Sequence, residues 1–326
     1  MTVRVAFLGN DPWSVPPLEA LASAADLEVS LVVTNPPRPA GRGSALRPTA
    51  VARSAVELGL PLAPVDGLRD GPGPDALRSA DPDVLVVVAY GEILTPEILG
   101  IAPLGAVNLH FSLLPRWRGA APVRRTLLAG DAVTGVTAML MDEGLDTGPI
   151  LAVAQETVRP DDDAGTLGTR LAGIGGPLLV RAVRSLASGT ATPRPQDPAL
   201  ATTAPKLTPE ERWIAWDEPA PALIRRVRAL APEPGASTRL RGKILKVFRA
   251  EPAGALDDPG HGGEARAGAG AGASPGGILA VDRAGVVVAT GSGAVRLLDV
   301  ASAGRRRMPA AEWARGARVS IGDALG

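Results

Sequence analysis

Five apolar runs recur through the first half of the chain, each bounded by turn residues: VRVAFLG at 3–9, LEVSLVVT at 27–34, DVLVVVAYG at 83–91, GAVNLHF at 105–111 and GVTAMLMD at 135–142. Between them lie stretches with helical spacing, such as VPPLEALASA, PTAVARSAVELG and APVRRTLLAG. Strands that are apolar throughout and alternate with helices bury both of their faces. This pattern predicts an α/β fold on a mostly parallel, Rossmann-like sheet. In such a sheet, ligands bind beyond the carboxyl ends of the strands.

The second half reads differently. A helical stretch over 164–188 gives way to GTATPRPQDPALATTAPKLTPEE, where Pro, Thr and Ala replace any periodic pattern, and which is a linker by composition. Short strand-like runs joined by Gly turns follow, GKILKVFRA and GGILAVDRAGVVVATGSGAVRLLDV, and suggest a small β-barrel. The expected division is a catalytic domain at 1–188, a linker at 189–206 and a smaller domain at 207–326, in which the glycine-rich 253–275 is expected to be a disordered loop. A length of 326 residues fits two domains.

Composition narrows the chemistry. The chain has no cysteine, which excludes disulfides and thiolate catalysis and makes a reducing, cytoplasmic home the simplest. The first apolar run is too short for a membrane span, so no membrane partner is expected. Net charge is zero but unevenly spread: residues 1–200 carry 16 basic and 21 acidic side chains, and residues 201–326 carry 18 and 13. The basic excess of the second part points to a polyanionic partner. Lys243 and Lys246, in the alternating run RGKILKVFR, belong to a half-exposed strand that would meet such a partner.

The unusual polar residues fall near the predicted strand ends. Gly9 closes the first run, but GNDPWSVP holds no GxGxxG, which argues against a nicotinamide cofactor. Asn108 and His110 are two apart in a strand and so share a face. The only other histidine is His261, in the glycine-rich segment, so metal ligands are lacking and no metal is expected. The run at 135–142 ends in the turn MDEGLDTGP, which could present Asp146 to the same crevice. An amide that donates to a developing oxyanion, an imidazole and a carboxylate that orients it form a plausible acyl-transfer constellation without a protein nucleophile.

At this point the residues become recognisable. NLHFSLLPRWRGAAPVRR followed by GVTAMLMDEGLDTGPIL resembles the methionyl-tRNA formyltransferase family, within the broader group of transferases that use 10-formyltetrahydrofolate. The similarity extends through GNDPWSVPPLEAL, RPAGRG, DVLVVVAYGEIL, APKLTPEE and RALAPEPGA, nearly the whole chain. The resemblance implies that Asn108, His110 and Asp146 are catalytic and that Ser112, Leu113, Leu114 and Pro115 form the turn that binds 10-formyltetrahydrofolate. It implies that Arg42, in PAGRG, reaches the acceptor end of methionyl initiator tRNA, with Arg116 and Arg118 near the same substrate. The C-terminal domain resembles an OB-like, tRNA-binding barrel, and a monomer is the family expectation.

Several positions depart from the family pattern. Phe111 stands where a small residue is usual after the histidine, Pro37 replaces an acidic residue, and Ser44 and Ala45 follow Gly43 in place of lysines. The nearest alternative is another folate-dependent formyltransferase or a 10-formyltetrahydrofolate hydrolase, acting on a small amine or on water. A noncatalytic RNA-binding module and a nicotinamide oxidoreductase stand further off.

Overall fold

The computed structural model of the chain describes residues 2–40, 45–253 and 273–326. Arg42, His261 and nearly all of the glycine-rich stretch 253–275 lie outside the described residues. The chain forms two compact units, each assembled from separate stretches. Met1–Pro122, Ala132–Val158 and Leu167–Lys206 make the first, and Val123–Asp131, Arg159–Thr166 and Leu207–Gly326 the second.

In chain order, the elements up to residue 187 are β1 (Val3–Gly9), α1 (Val15–Ala22), β2 (Leu27–Thr34), β3 (Arg38–Ala40), β4 (Ala45–Arg47), α2 (Ala50–Glu57), β5 (Leu62–Pro64), α3 (Pro72–Ser79), β6 (Val84–Val88), α4 (Pro96–Leu99), β7 (Ala106–His110), α5 (Pro122–Ala129), β8 (Val133–Leu140), β9 (Ile150–Thr157) and α6 (Ala164–Ala187). Seven strands form one sheet in the order β5-β2-β1-β6-β7-β8-β9, while β3 and β4 pair as a separate hairpin. The pairings from β5 to β7 are parallel, and β8 and β9 are antiparallel. The mixed α/β, mostly parallel sheet expected from the apolar runs is therefore present.

Alternation explains why the central strands are apolar on both sides. Ala6, Leu8, Leu85 and Val87 pack with Leu77 of α3 and Ile98 of α4, while all five residues of β6 are buried. Thr49 and Thr95 start α2 and α4 by accepting the Ala52 and Ile98 N–H groups, so these helices begin where a side chain can satisfy their free donors. At the carboxyl ends, the Asn10 side chain ties three strands together: its amide donates to the Tyr90 carbonyl, and its oxygen accepts from Thr34 Oγ1 and Asn35 N.

Residues 189–206, low in periodicity, belong to the first unit. Arg194 bridges Ile150 in an antiparallel contact, Thr203 bridges Arg118 in a parallel one, and Ala204 is fully buried. This segment forms a strap over the loop that follows β7.

The second unit contains a short 3-10 turn (Glu210–Arg212) and α7 (Ala220–Leu230), then β10 (Ala236–Leu240), β11 (Lys243–Pro252), β12 (Ile278–Val281), β13 (Val286–Ala289), β14 (Ala294–Ser302), β15 (Met308–Pro309) and α8 (Ala310–Ala317). Its sheet is antiparallel in the order β10-β11-β14-β13-β12, with β15 on β14. The C-terminal tail links the two edge strands' ends, since Gly326 N donates to Arg239 O and Ile278 N to Asp323 O. Trp216 sits in this unit's core, its indole N–H donating to Thr238 Oγ1 at 2.9 Å.

Candidate active site

The last residues of β7 carry the polar pair. Asn108 and His110 share one face of the strand, and Leu109 takes the other, with the backbone of Gly175 so close that a Cβ there would lie 2.6 Å from Leu109 Cδ2. Phe111, the family departure, has a structural role. Its ring tilts against Trp13 with centroids 5.8 Å apart. Trp13 in turn lies over Gly168, where a Cβ would come within 2.1 Å of the indole. The small residue is therefore in α6, and Phe111 closes the apolar layer behind the polar face.

Asp146 reaches that face by an unexpected route. Because β8 runs antiparallel, its carboxyl end, Leu140, lies level with Val107, near the start of β7. The turn from 141 to 149 carries Asp146 back over Asn108 and His110. Asp142 braces this turn by accepting from Gly144 N at 3.0 Å and from Thr147 Oγ1 at 2.6 Å. Asp146 itself has φ +55°, in the left-handed region that non-glycine residues enter only at a cost.

The three side chains converge. Asn108 Nδ2 donates to Asp146 Oδ1 at 3.3 Å, and His110 Nδ1 lies 3.6 Å from Asp146 Oδ2, with the side chains only 6% and 13% exposed. The second contact is too long for a hydrogen bond. Gly119 N donates to Asp146 Oδ2 at 2.7 Å, a charge-assisted bond that fixes the carboxylate. His110 Nε2 lies 2.8 Å from the Trp117 carbonyl. A carbonyl can only accept, so Nε2 carries the hydrogen, and Nδ1 is the nitrogen turned toward Asp146.

The Ser112–Pro115 turn is held from behind. Thr137 Oγ1 donates to Ser112 O at 2.7 Å and accepts from Leu114 N at 3.1 Å, while Ser112 Oγ donates to Arg116 O at 2.6 Å. Leu113 O and Pro115 O accept from Arg116 N and Thr202 N. The turn is therefore rigid, and it joins the trio through Thr137, which pairs with His110 across the sheet. Leu114 packs with Met139 and Ile150 in a small apolar cluster.

The basic residues named from sequence are placed less uniformly. Arg116 is exposed, with its guanidinium 4.4 Å from the centre of the Trp117 ring. Arg118 donates twice to Gln196 Oε1, at 3.0 and 2.7 Å. In the second unit, Lys243 is exposed at the start of β11, and Lys246 Nζ donates to the Pro234 carbonyl at 2.7 Å. Arg124 and Arg125, which follow the same motif, are engaged within the second unit: Arg124 by the Ala229 and Glu233 carbonyls, Arg125 by both oxygens of Glu211. After β6, in the first unit, burial pushes the Tyr90 hydroxyl above its ordinary pKa, with the Glu92 charge adding to the effect.

Sequence reasoning did not reach Trp117, Gly119, Thr137, Gln196 or Thr202, the residues that hold the trio and its loop. Gly119 carried a signal in retrospect, as a glycine that ends an Arg-Trp-Arg run. Gln196 and Thr202 lie in a segment whose composition reads as a linker.

Residues 3–183 match the family model described as formyl transferase, and residues 206–318 match that of the formyl transferase C-terminal domain. A curated relative from Thermus thermophilus, named methionyl-tRNA formyltransferase, is 46% identical over 99% of this chain and 99% of its own length. The chain belongs to the methionyl-tRNA formyltransferase family. A relative of the same name from Roseiflexus sp. is 44% identical over 100% of this chain and 96% of its own. Among solved structures, HypX from Aquifex aeolicus in complex with tetrahydrofolic acid aligns with a TM-score of 0.63 at 18% identity, over 98% of this chain and 48% of that one. The chain thus spans about half the length of HypX, and at this identity the likeness is one of fold. Family membership gives the Asn108, His110 and Asp146 cluster a chemical context. Among the described residues, no helix is long and apolar enough to cross a membrane.

Proposed function

We propose that the chain transfers the formyl group of 10-formyltetrahydrofolate to the α-amine of methionyl initiator tRNA, giving N-formylmethionyl-tRNA and tetrahydrofolate. The observation that carries this reading is the convergence of Asn108 and His110 on the Asp146 carboxylate in a chain of this family. It requires no acylated protein group, because the amine of one substrate attacks the formyl carbon of the other.

The roles follow from the atoms. As the amine nitrogen bonds to the formyl carbon, the carbonyl oxygen gains negative charge. Asn108 Nδ2–H and a proton on His110 Nδ1 donate to it, a kind of stabilisation worth about 3 to 4 kcal/mol per donor. Since Nε2 is committed to the Trp117 carbonyl, Nδ1 is where a second proton on the ring resides. The Asp146 carboxylate holds the charged imidazole and accepts the proton that the attacking amine must lose. When the carbon–nitrogen bond to the donor breaks, Asp146 passes that proton on to the departing nitrogen, and the protein ends unchanged.

The Ser112, Leu113, Leu114 and Pro115 turn, held from behind by Thr137, forms one wall for the folate. Arg116 and Arg118, with Arg42 and with Lys243 and Lys246 of the second unit, supply positive charge for the tRNA, which fits the basic balance of residues 201–326. The reaction is cytoplasmic, carried out by the monomer, with residues 1–188 as the catalytic domain, 189–206 joining it to residues 207–326, and no metal required.

Labelled 10-formyltetrahydrofolate offered with methionyl initiator tRNA, glycinamide ribonucleotide or an amino sugar tests the acceptor. Label appears on the tRNA under this reading; label on a small amine, or release as formate alone, sinks it.

A further inference from the structure

The Asp146 turn has few packing contacts of its own. Asp142, Glu143, Gly144 and Leu145 are all exposed, and Asp146 holds a left-handed backbone conformation. Such a turn keeps a side chain in place only where its surroundings over-determine it. Beyond the Asp142 bonds within the turn and the Gly119 N–H on the carboxylate, the strap adds a restraint through one side chain. Gln196 Nε2 donates to Asp146 O at 2.9 Å and to Gly148 O at 2.8 Å, 50 and 48 positions away in sequence. Its Oε1 accepts both bonds from Arg118, the residue after Trp117, whose carbonyl holds His110.

We infer that Gln196 is a positioning residue for formyl transfer: its single amide joins the backbone that carries Asp146 to the loop that orients His110. The inference rests on the proposed reaction and adds to it a residue that touches neither substrate nor any of the three side chains of the trio. Both ends of the amide are needed, because a carboxamide is the smallest group that donates to two carbonyls and accepts from a guanidinium at once. The strap is anchored on either side of Gln196, by the Arg194–Ile150 pairing and by Thr202 and Ala204 against the 116–121 loop, so the amide is delivered to a fixed place. Its function is alignment. A displacement of about 1 Å at a reacting group can cost roughly a hundredfold in rate.

Two variants separate the ends. Gln196→Glu keeps an oxygen for Arg118 but turns a carboxylate on the Asp146 and Gly148 carbonyls, and Gln196→Met keeps the volume and loses every bond. Both are expected to lower the single-turnover formylation rate by about tenfold or more, with KM for methionyl-tRNA within about twofold of wild type and thermal unfolding showing a folded protein. In an Asp146→Asn background, Gln196→Met is expected to cost several-fold less than it does in wild type, because part of its effect runs through the Asp146 carboxylate. Either single variant turning over at the wild-type rate, or effects that multiply fully with Asp146→Asn, would overturn the inference. A wild-type protein that formylates no methionyl-tRNA removes the underlying reaction and this inference together, whereas an active wild type with unaffected Gln196 variants removes the inference alone.

Discussion

The Trp117 carbonyl accepts a hydrogen bond from His110 Nε2 at 2.8 Å. One backbone oxygen thereby decides which imidazole nitrogen faces the reaction. Trp117 has φ +64°, and its own N–H is held by Thr202 Oγ1 at 2.9 Å, so the position of this carbonyl depends on the loop and the strap together. His110→Ala is expected to slow single-turnover formylation by at least about 100-fold, with methionyl-tRNA binding retained. A gel separation of formylated from unformylated methionyl-tRNA under enzyme excess measures the first, and filter binding the second.

Gly119 meets two demands at once. Its N–H holds the Asp146 carboxylate, and its φ of +120° with Ala204 O only 2.9 Å from where a Cβ would stand leaves no room for a side chain. Gly119→Ala is expected to cost on the order of 1 to 3 kcal/mol of stability. It should also lower the formylation rate, since relieving the clash moves the donor away from Asp146. Urea unfolding alongside the single-turnover assay reads both effects.

Phe111 bears on stability rather than chemistry, because its ring lies on the apolar side of β7 against Trp13. Phe111→Ala is expected to destabilise the protein by about 3 to 5 kcal/mol, and Phe111→Leu by much less. At a temperature where the folded state still dominates, the Leu variant should formylate at close to the wild-type rate.

These cases show where sequence is informative. Asn108 and His110 were legible because a strand repeats every two residues, so their spacing alone put them on one face. The apolar runs that became β1, β2, β6, β7 and β8 were legible because buried strands exclude polar residues. The short edge strand β5 was not, nor was β9, which has a single buried residue, Ile150, and ends in the polar Gln155, Glu156 and Thr157. The antiparallel direction of β8 leaves no mark in composition. Nor does Gln196, since a single clamp between residues 50 positions apart has no period, and the Pro-rich strap that holds it looks like any tether. The partners of Arg124, two backbone carbonyls, and of Arg125, the Glu211 carboxylate, were not legible either, because they are distant in sequence.

That last pair carries a pH signature. The Arg125 guanidinium, bonded to both carboxylate oxygens, holds the Glu211 carboxyl below its ordinary value of 4.5, and the Thr208 N–H adds to the effect. A carboxyl lowered in the folded state stabilises the fold above its ordinary value, and that contribution is lost as pH falls through the lower, folded-state value. With the pair partly exposed, the contribution is about 1 kcal/mol or less. Glu211→Gln should therefore melt below wild type at neutral pH, and the gap should close as the pH is brought down below the ordinary value and through the lower, folded-state one. Melting curves followed by circular dichroism at several pH values check this; a gap that widens in acid contradicts it.

In the proposed mechanism Asp146 holds the His110 ring and takes the amine proton. The most direct test is single-turnover transfer of labelled formyl from 10-formyltetrahydrofolate to methionyl initiator tRNA, by wild type and by Asp146→Asn, which keeps the shape and can still accept from Gly119. Wild type is predicted to formylate the initiator tRNA, and Asp146→Asn to do so at least about 100-fold more slowly while remaining folded. Near-normal transfer by the folded Asp146→Asn variant would contradict the assignment.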